Sequence, residues 1–139
     1  MTIRVLIAEP NPQMRRVLRG LLDTQDDLRV VSEAADGREA LLAVDRWRPQ
    51  VIIISDILTN PEAVKVMKAV RPPAQVIVLA TYRASVLPAF AAGADACLDR
   101  DTGTHQVIDT IRQIAGAADY DMGITEETDR DTPRWPWTD

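Results

Sequence analysis

Two hydrophobic rhythms alternate along the 139 residues of this chain. Short apolar runs occur at Arg4–Ala8, Leu28–Ser32, Val51–Leu58, Gln75–Leu79 and Ala94–Leu98, and runs of this length read as strands. Between them, apolar residues recur at helical spacing. The first such segment carries Met14, Val17, Leu18, Leu21 and Leu22, with Arg15, Arg16 and Arg19 outside; the second carries Ala40, Leu41, Val44 and Trp47. The third carries Ala63, Val64, Val66, Met67 and Val70, the fourth covers Ala84–Ala92, and the fifth covers Thr102–Ala118 with Val107, Ile108, Ile111, Ile114 and Ala115 inward. Five strands alternating with five helices predict an α/β doubly wound parallel sheet, helices on both faces.

Polar punctuation agrees with this division. Asn11-Pro12 and Asn60-Pro61 each pair an N-cap with a proline suited to the first helical turn. Asp36 with Glu39 three residues later forms a capping-box pattern. Pro49 and Pro72-Pro73 end helices, Gly93 suits a left-handed terminus, and Pro88 falls early enough in its helix to shorten or bend it.

The run Val51–Leu58 is the most apolar and should lie buried on both faces at the sheet centre. Ligands of such sheets gather at the carboxyl ends of the strands, where this run presents Ser55 and Asp56.

Apolar content of 46 % and charged content of 27 % are those of an ordinary globular domain. One cysteine, Cys97, excludes a disulfide framework, and no apolar stretch has the length of a membrane span. A cytoplasmic protein is expected. The net charge of −5 is carried by residues 119–139, which hold seven acids and two arginines. The neutral remainder offers no footprint for direct nucleic-acid binding. Residues 1–118 are therefore expected to form one domain, and residues 119–139 a flexible acidic tail. Trp135 and Trp137 in that tail could anchor a partner or fold back on the domain.

Four stretches carry a family resemblance: Ile3–Ala8, Glu33–Leu41 with its A-D-G-x-E-A-L element, Arg48-Pro49 leading into the central strand, and Ala92–Leu98. With these the chain, from residue 3 to about 118, resembles the receiver domains of bacterial response regulators, most closely those joined to helix-turn-helix output domains. The resemblance implies a flavodoxin-like fold of strand order 2-1-3-4-5 and a role in two-component, phosphorelay signal transduction. It also implies a site of five parts. Two acids after the first strand help hold Mg²⁺, an aspartate ending the third strand takes the phosphoryl group, and a hydroxyl and a lysine follow the fourth and fifth strands.

This sequence departs at every part. Glu9-Pro10 stands for the acid pair, and Arg100 for the lysine. An ungapped count places Ser55 at the acceptor position with Asp56 one residue late, and Ala80 at the hydroxyl position with Thr81 one late. Side chains alternate along a strand, so one residue of offset reverses the face unless the strand bulges. Two readings follow. Either both strands run longer and Asp56 with Thr81 forms a displaced site, or Ser55 and Ala80 mark a lost one. Glu9 and Asp56 are weak cation ligands, and Glu9 beside Pro10 reads more simply as a solvated carboxylate. Arg100 either pairs with Glu9 or Asp56 or is a surface arginine, and Tyr82 either reports the signalling state or packs on the fourth helix. His105 should face solvent, and Cys97 should be a small buried side chain.

Together these features imply an atypical receiver, not an enzyme, that signals by protein–protein contact without conventional aspartate phosphorylation. A histidine kinase, an output domain or another regulator would be its partner. No cofactor is expected, with Mg²⁺ required only if Asp56 is phosphorylated. A phosphoaccepting receiver using Asp56 and a small-ligand sensor are the alternatives. A homodimer through Ile111, Ile114 and Ala118 is possible, and the chain could stand alone or belong to a longer regulator.

Overall fold

The computed structural model describes residues 2–70, 72–101 and 103–121, with backbone only at residues 104 and 117–121. Its strands are β1 (Ile3–Ala8), β2 (Leu28–Ala34), β3 (Val51–Ser55), β4 (Gln75–Ala80) and β5 (Ala96–Asp99). Its helices are α1 (Pro12–Asp23), α2 (Gly37–Trp47), α3 (Pro61–Ala69), α4 (Val86–Ala92) and α5 (Thr104–Asp121). The strands form one parallel sheet in the order β2-β1-β3-β4-β5, the flavodoxin-like order that the family resemblance implies.

Alternation along the strands divides the core in two. Leu6, Ala8, Ile52, Ile54, Val76, Val78 and Cys97 face α2, α3 and α4. Val5, Ile7, Val51, Ile53, Ile77, Leu79 and Leu98 face α1 and α5. All five β3 residues are buried, as a central parallel strand covered on both faces requires. Full burial of each of its large aliphatic side chains is worth about 1.5–3 kcal/mol.

The N-caps form as expected: Asn11 accepts from the amides of Gln13 and Met14, Asp36 from Glu39, and Asn60 from Ala63. The capping box is shifted by one residue, because Glu39 reaches back to the Ala35 amide and not to that of Asp36. Several boundaries differ. A 3₁₀ turn at Arg83–Ser85 precedes α4, so that helix starts at Val86 instead of Ala84, with Pro88 in its first turn. β5 begins two residues later than expected, because Gly93 at φ 111° and the Asp95 amide bonded to the Val76 carbonyl consume Ala94 and Asp95 in the connection. α5 runs to Asp121, so the expected change to a tail after residue 118 falls inside a helix; Trp135 and Trp137 lie outside the described residues.

Three side chains expected inward are exposed: Val17, Val66 and Trp47. Each lies beside, not on, the stripe that meets the sheet; α1 buries Leu18 and Leu22, and α3 buries Val64 and Met67. Trp47 is the last residue of α2, where the Arg46 guanidinium stacks 5.4 Å from its ring centre. Ile111 is fully buried beside the half-buried Ile114, which assigns both to the core, and the side chain of Ala118 lies outside the described residues.

Candidate functional site: two clusters at the strand ends

The carboxyl ends of β1, β3, β4 and β5 converge on one edge, and the one-residue alternation at the end of β3 divides its polar groups between two places. β3 ends at Ser55, without a bulge in its pairing to β4. Ser55 keeps the parity of Val51 and Ile53, and Asp56 turns to the other side.

The first cluster joins Glu9, Ser55 and Arg100. Glu9 follows β1 and is fully buried, which corrects the expectation of a solvated carboxylate. Pro10 turns the chain so that the Asn11 amide donates to Glu9 Oε2 at 2.9 Å, and Arg15 Nη1 donates to the Glu9 carbonyl at 2.7 Å. Arg100 follows β5, its amide bonded to the Ala80 carbonyl. Its Nη1 lies 2.9 Å from Glu9 Oε1 and donates to Ser55 Oγ at 3.2 Å. The approach to Oε1 is an ion pair by distance, but no N–H points along it, so that oxygen is without a hydrogen-bond donor. Ser55, also fully buried, accepts in addition from the Ile57 amide at 3.2 Å. Arg100 is thus not a free surface arginine, and of its two possible acidic partners it takes Glu9.

The second cluster surrounds Asp56. Its Oδ2 accepts from the amides of Thr81 at 2.7 Å and Tyr82 at 3.2 Å, tying the end of β3 to the turn after β4. Burial raises the Asp56 carboxyl, but the nearby hydroxyls of Ser85 and Thr81 and the amides of Tyr82 and Thr81 outweigh it, and the group is held below its ordinary value. Neither hydroxyl meets Oδ1 in hydrogen-bonding geometry, so this oxygen is buried without a donor. Ala80 is buried and brings no hydroxyl; Thr81 and Tyr82 are exposed. Among the described residues no ion pair or hydrogen bond joins Asp56 to Glu9 or Arg100.

These residues do not fit a magnesium ion, which takes near-octahedral oxygen ligands. Of the Glu9 oxygens one holds an amide and the other faces a guanidinium, Pro10 and Ser55 bring no carboxylate, and Asp56 belongs to the other cluster. Among the described residues no three His, Cys, Asp or Glu side chains gather as a metal site.

Other residues have plain roles. His105 is exposed. Cys97 is fully buried, and burial, then the charges of Asp56 and Asp99, push its thiol up to about 12. Asp95, within one of the stretches that carry the resemblance, accepts from Lys68 Nζ and the Val76 amide, both at 2.7 Å, and so straps α3 to the sheet. Sequence reasoning missed the space beside Asp56, a pocket of about 360 Å³ between α3 and α4. Its walls come from the ends of β3 and β4, from α3 and from the 3₁₀ turn and α4, which no local pattern in the sequence brings together.

No family model matches the chain. It is 33 % identical over 119 residues to the uncharacterized transcriptional regulatory protein YhcZ of Bacillus subtilis, covering 82 % of this chain and 55 % of that protein. It is 29 % identical over 120 residues to the response regulator protein VraR of Staphylococcus aureus, covering 83 % of this chain and 57 % of that one. The chain therefore spans about half the length of the curated relatives it matches. Among solved structures, the response regulator domain of Thermotoga maritima CheB superposes with a TM-score of 0.65 at 28 % identity, over 91 % of this chain and all of that one (100 %). A LuxR-family two-component response regulator from Aurantimonas gives 0.77 at 23 % identity, over 84 % and 87 %, a likeness of fold. In sequence its relatives include response regulators, and with the strand order β2-β1-β3-β4-β5 its structural neighbours are their receiver domains.

Proposed function

We propose that this receiver signals by protein–protein contact in two-component transduction, without conventional phosphorylation of an aspartate ending β3. The Glu9–Arg100–Ser55 cluster carries the reading. A serine hydroxyl stands where an ungapped count puts the family's carboxylate nucleophile, and the guanidinium already neutralises the buried Glu9. A partner, rather than a phosphoryl group, would then set the balance between states of the face made by α4, β5 and α5. A histidine kinase, an output domain or another regulator suits that face, as does a second copy of the chain. A cytoplasmic location accords with this role; among the described residues no helix is long and apolar enough to cross a membrane.

A second reading has one observation in its favour. Asp56 directly follows the central strand, has its carboxyl held below the ordinary value by hydroxyl and amide donors, and keeps one oxygen without a donor beside Thr81. In that reading the domain is a weak self-phosphorylating switch with a displaced acceptor. The intact mass after incubation with Mg²⁺ and acetyl phosphate, read beside Asp56→Asn and Ser55→Ala, separates the two. No added phosphate on the folded protein is expected. A phosphate-sized increase that survives Ser55→Ala and vanishes in Asp56→Asn would replace the first reading with the second.

A further inference from the structure

The pocket beside Asp56 is unrelated to the Glu9–Arg100 cluster and has the make-up of a small-molecule site. At about 360 Å³ it falls within the size range of ligand pockets, and its walls are largely apolar: Pro61, Val64, Val78, Pro88 and Ala89. Val64, Val78 and Ala89 are buried core residues of α3, β4 and α4, so the floor is preformed. Polar groups are few, and Asp56 is the only charged residue in the lining. Among the described residues it has no cationic partner, and its Oδ1 is buried without a donor. The amides of Thr81 and Tyr82 take only Oδ2, so Oδ1 stands beside apolar walls with no opposite charge near it among the described residues, the place an occupant of positive charge would complete.

An anion is disfavoured here. The N-terminus of α3 borders the pocket, but Pro61 has no N–H and Asn60 already takes the Ala63 amide. The amides of Thr81 and Tyr82 are used by Asp56 itself. A metal ion is disfavoured too, since the apolar walls leave Asp56 as the one carboxylate and a hard cation needs several oxygens. We propose that the pocket between α3 and α4 binds a small organic cation, an ammonium or amidinium on a compact apolar body. The charged head pairs with Asp56 beside the Ser85 hydroxyl, and the body lies against Val64, Val78 and Ala89. The amides of Thr81 and of Tyr82, at the rim, hold Asp56, and Tyr82 leads directly into the 3₁₀ turn, so an occupant also bears on the start of α4.

The test is a titration of the ¹⁵N-labelled full chain with benzylamine, and with benzyl alcohol as the uncharged analogue, followed by amide shifts. Saturable shifts at Thr81, Tyr82 and Ser85 are expected with benzylamine, at an affinity about tenfold above that of the alcohol. Asp56→Asn should abolish that difference, and Ala89→Leu, which fills the floor, should weaken both compounds in protein shown folded by circular dichroism. Equal binding of the two, or a preference that persists in Asp56→Asn, would overturn the charge assignment. No saturable shift, or shifts elsewhere, would overturn the site. Magnesium chloride moving the same amides and competing with benzylamine would assign the charge to a metal and also overturn the proposal. The phosphorylation question is independent, because the mass measurement contains no amine.

Discussion

Removing the Arg100 guanidinium would leave Glu9 buried with one oxygen facing nothing positive and Ser55 with one donor fewer. Breaking a buried pair from one side costs about 3–5 kcal/mol, and since the Arg100 side chain keeps 21 % of its surface exposed, about 2–3 kcal/mol is expected for Arg100→Ala. Arg100→Lys should lose less, because it keeps the charge but not the planar fork. Replacing both partners together, Glu9→Leu with Arg100→Leu, should cost less than Arg100→Ala alone, since no uncompensated charge remains. Urea midpoints of the variants check this ordering; a double variant less stable than Arg100→Ala would contradict it. At this scale the sequence was informative about identity and poor about environment. It showed that Glu9, Ser55 and Arg100 occupy unusual positions, yet the burial of Glu9 depends on β2, β3 and β5 closing around it, and no local pattern encodes that.

At the scale of elements, tight packing meets a backbone at Gly37. A methyl group there would lie 2.8 Å from the Leu58 carbonyl oxygen, so α2 starts in direct contact with the loop after β3. Backbone cannot swing aside as a flexible side chain would. Gly37→Ala should therefore cost about 1–3 kcal/mol, outweighing the helix propensity alanine gains, and thermal unfolding measures it. An unchanged midpoint would mean that the loop gives way freely. The glycine was legible as part of the A-D-G-x-E-A-L element, but its reason was not, because Leu58 is twenty-one residues further along the chain. Caps were legible because they act within one turn of helix. The start of α4 was not, since a 3₁₀ turn closed by the Ser85 amide on the Tyr82 carbonyl precedes it, next to the Thr81 and Tyr82 amides that Asp56 takes from another strand end.

For the molecule as a whole, Cys97 reports on cooperativity. It lies in β5 against β4, fully buried, with its thiol pushed up from 9.0 to about 12. The thiolate is the reactive form, so a disulfide reagent in mildly alkaline buffer should label Cys97 only as fast as the fold opens, and at once in urea. Rapid labelling of the native protein would mean that β5 detaches on its own. The linkage has a definite sign. A folded thiol that holds its proton more tightly than the unfolded one makes stability fall as the pH rises above 9.0 towards about 12, and Cys97→Ser should lessen that fall. The chain by itself determined the order and kind of its elements, their caps, and which strand is central, because hydrophobic period and turn chemistry are properties of neighbours in sequence. Only the tertiary structure decided that Ser55 joins Glu9 and Arg100 while Asp56 faces a separate pocket. Which face a strand-end residue takes depends on where the strand stops, and that is set by its pairing with other strands.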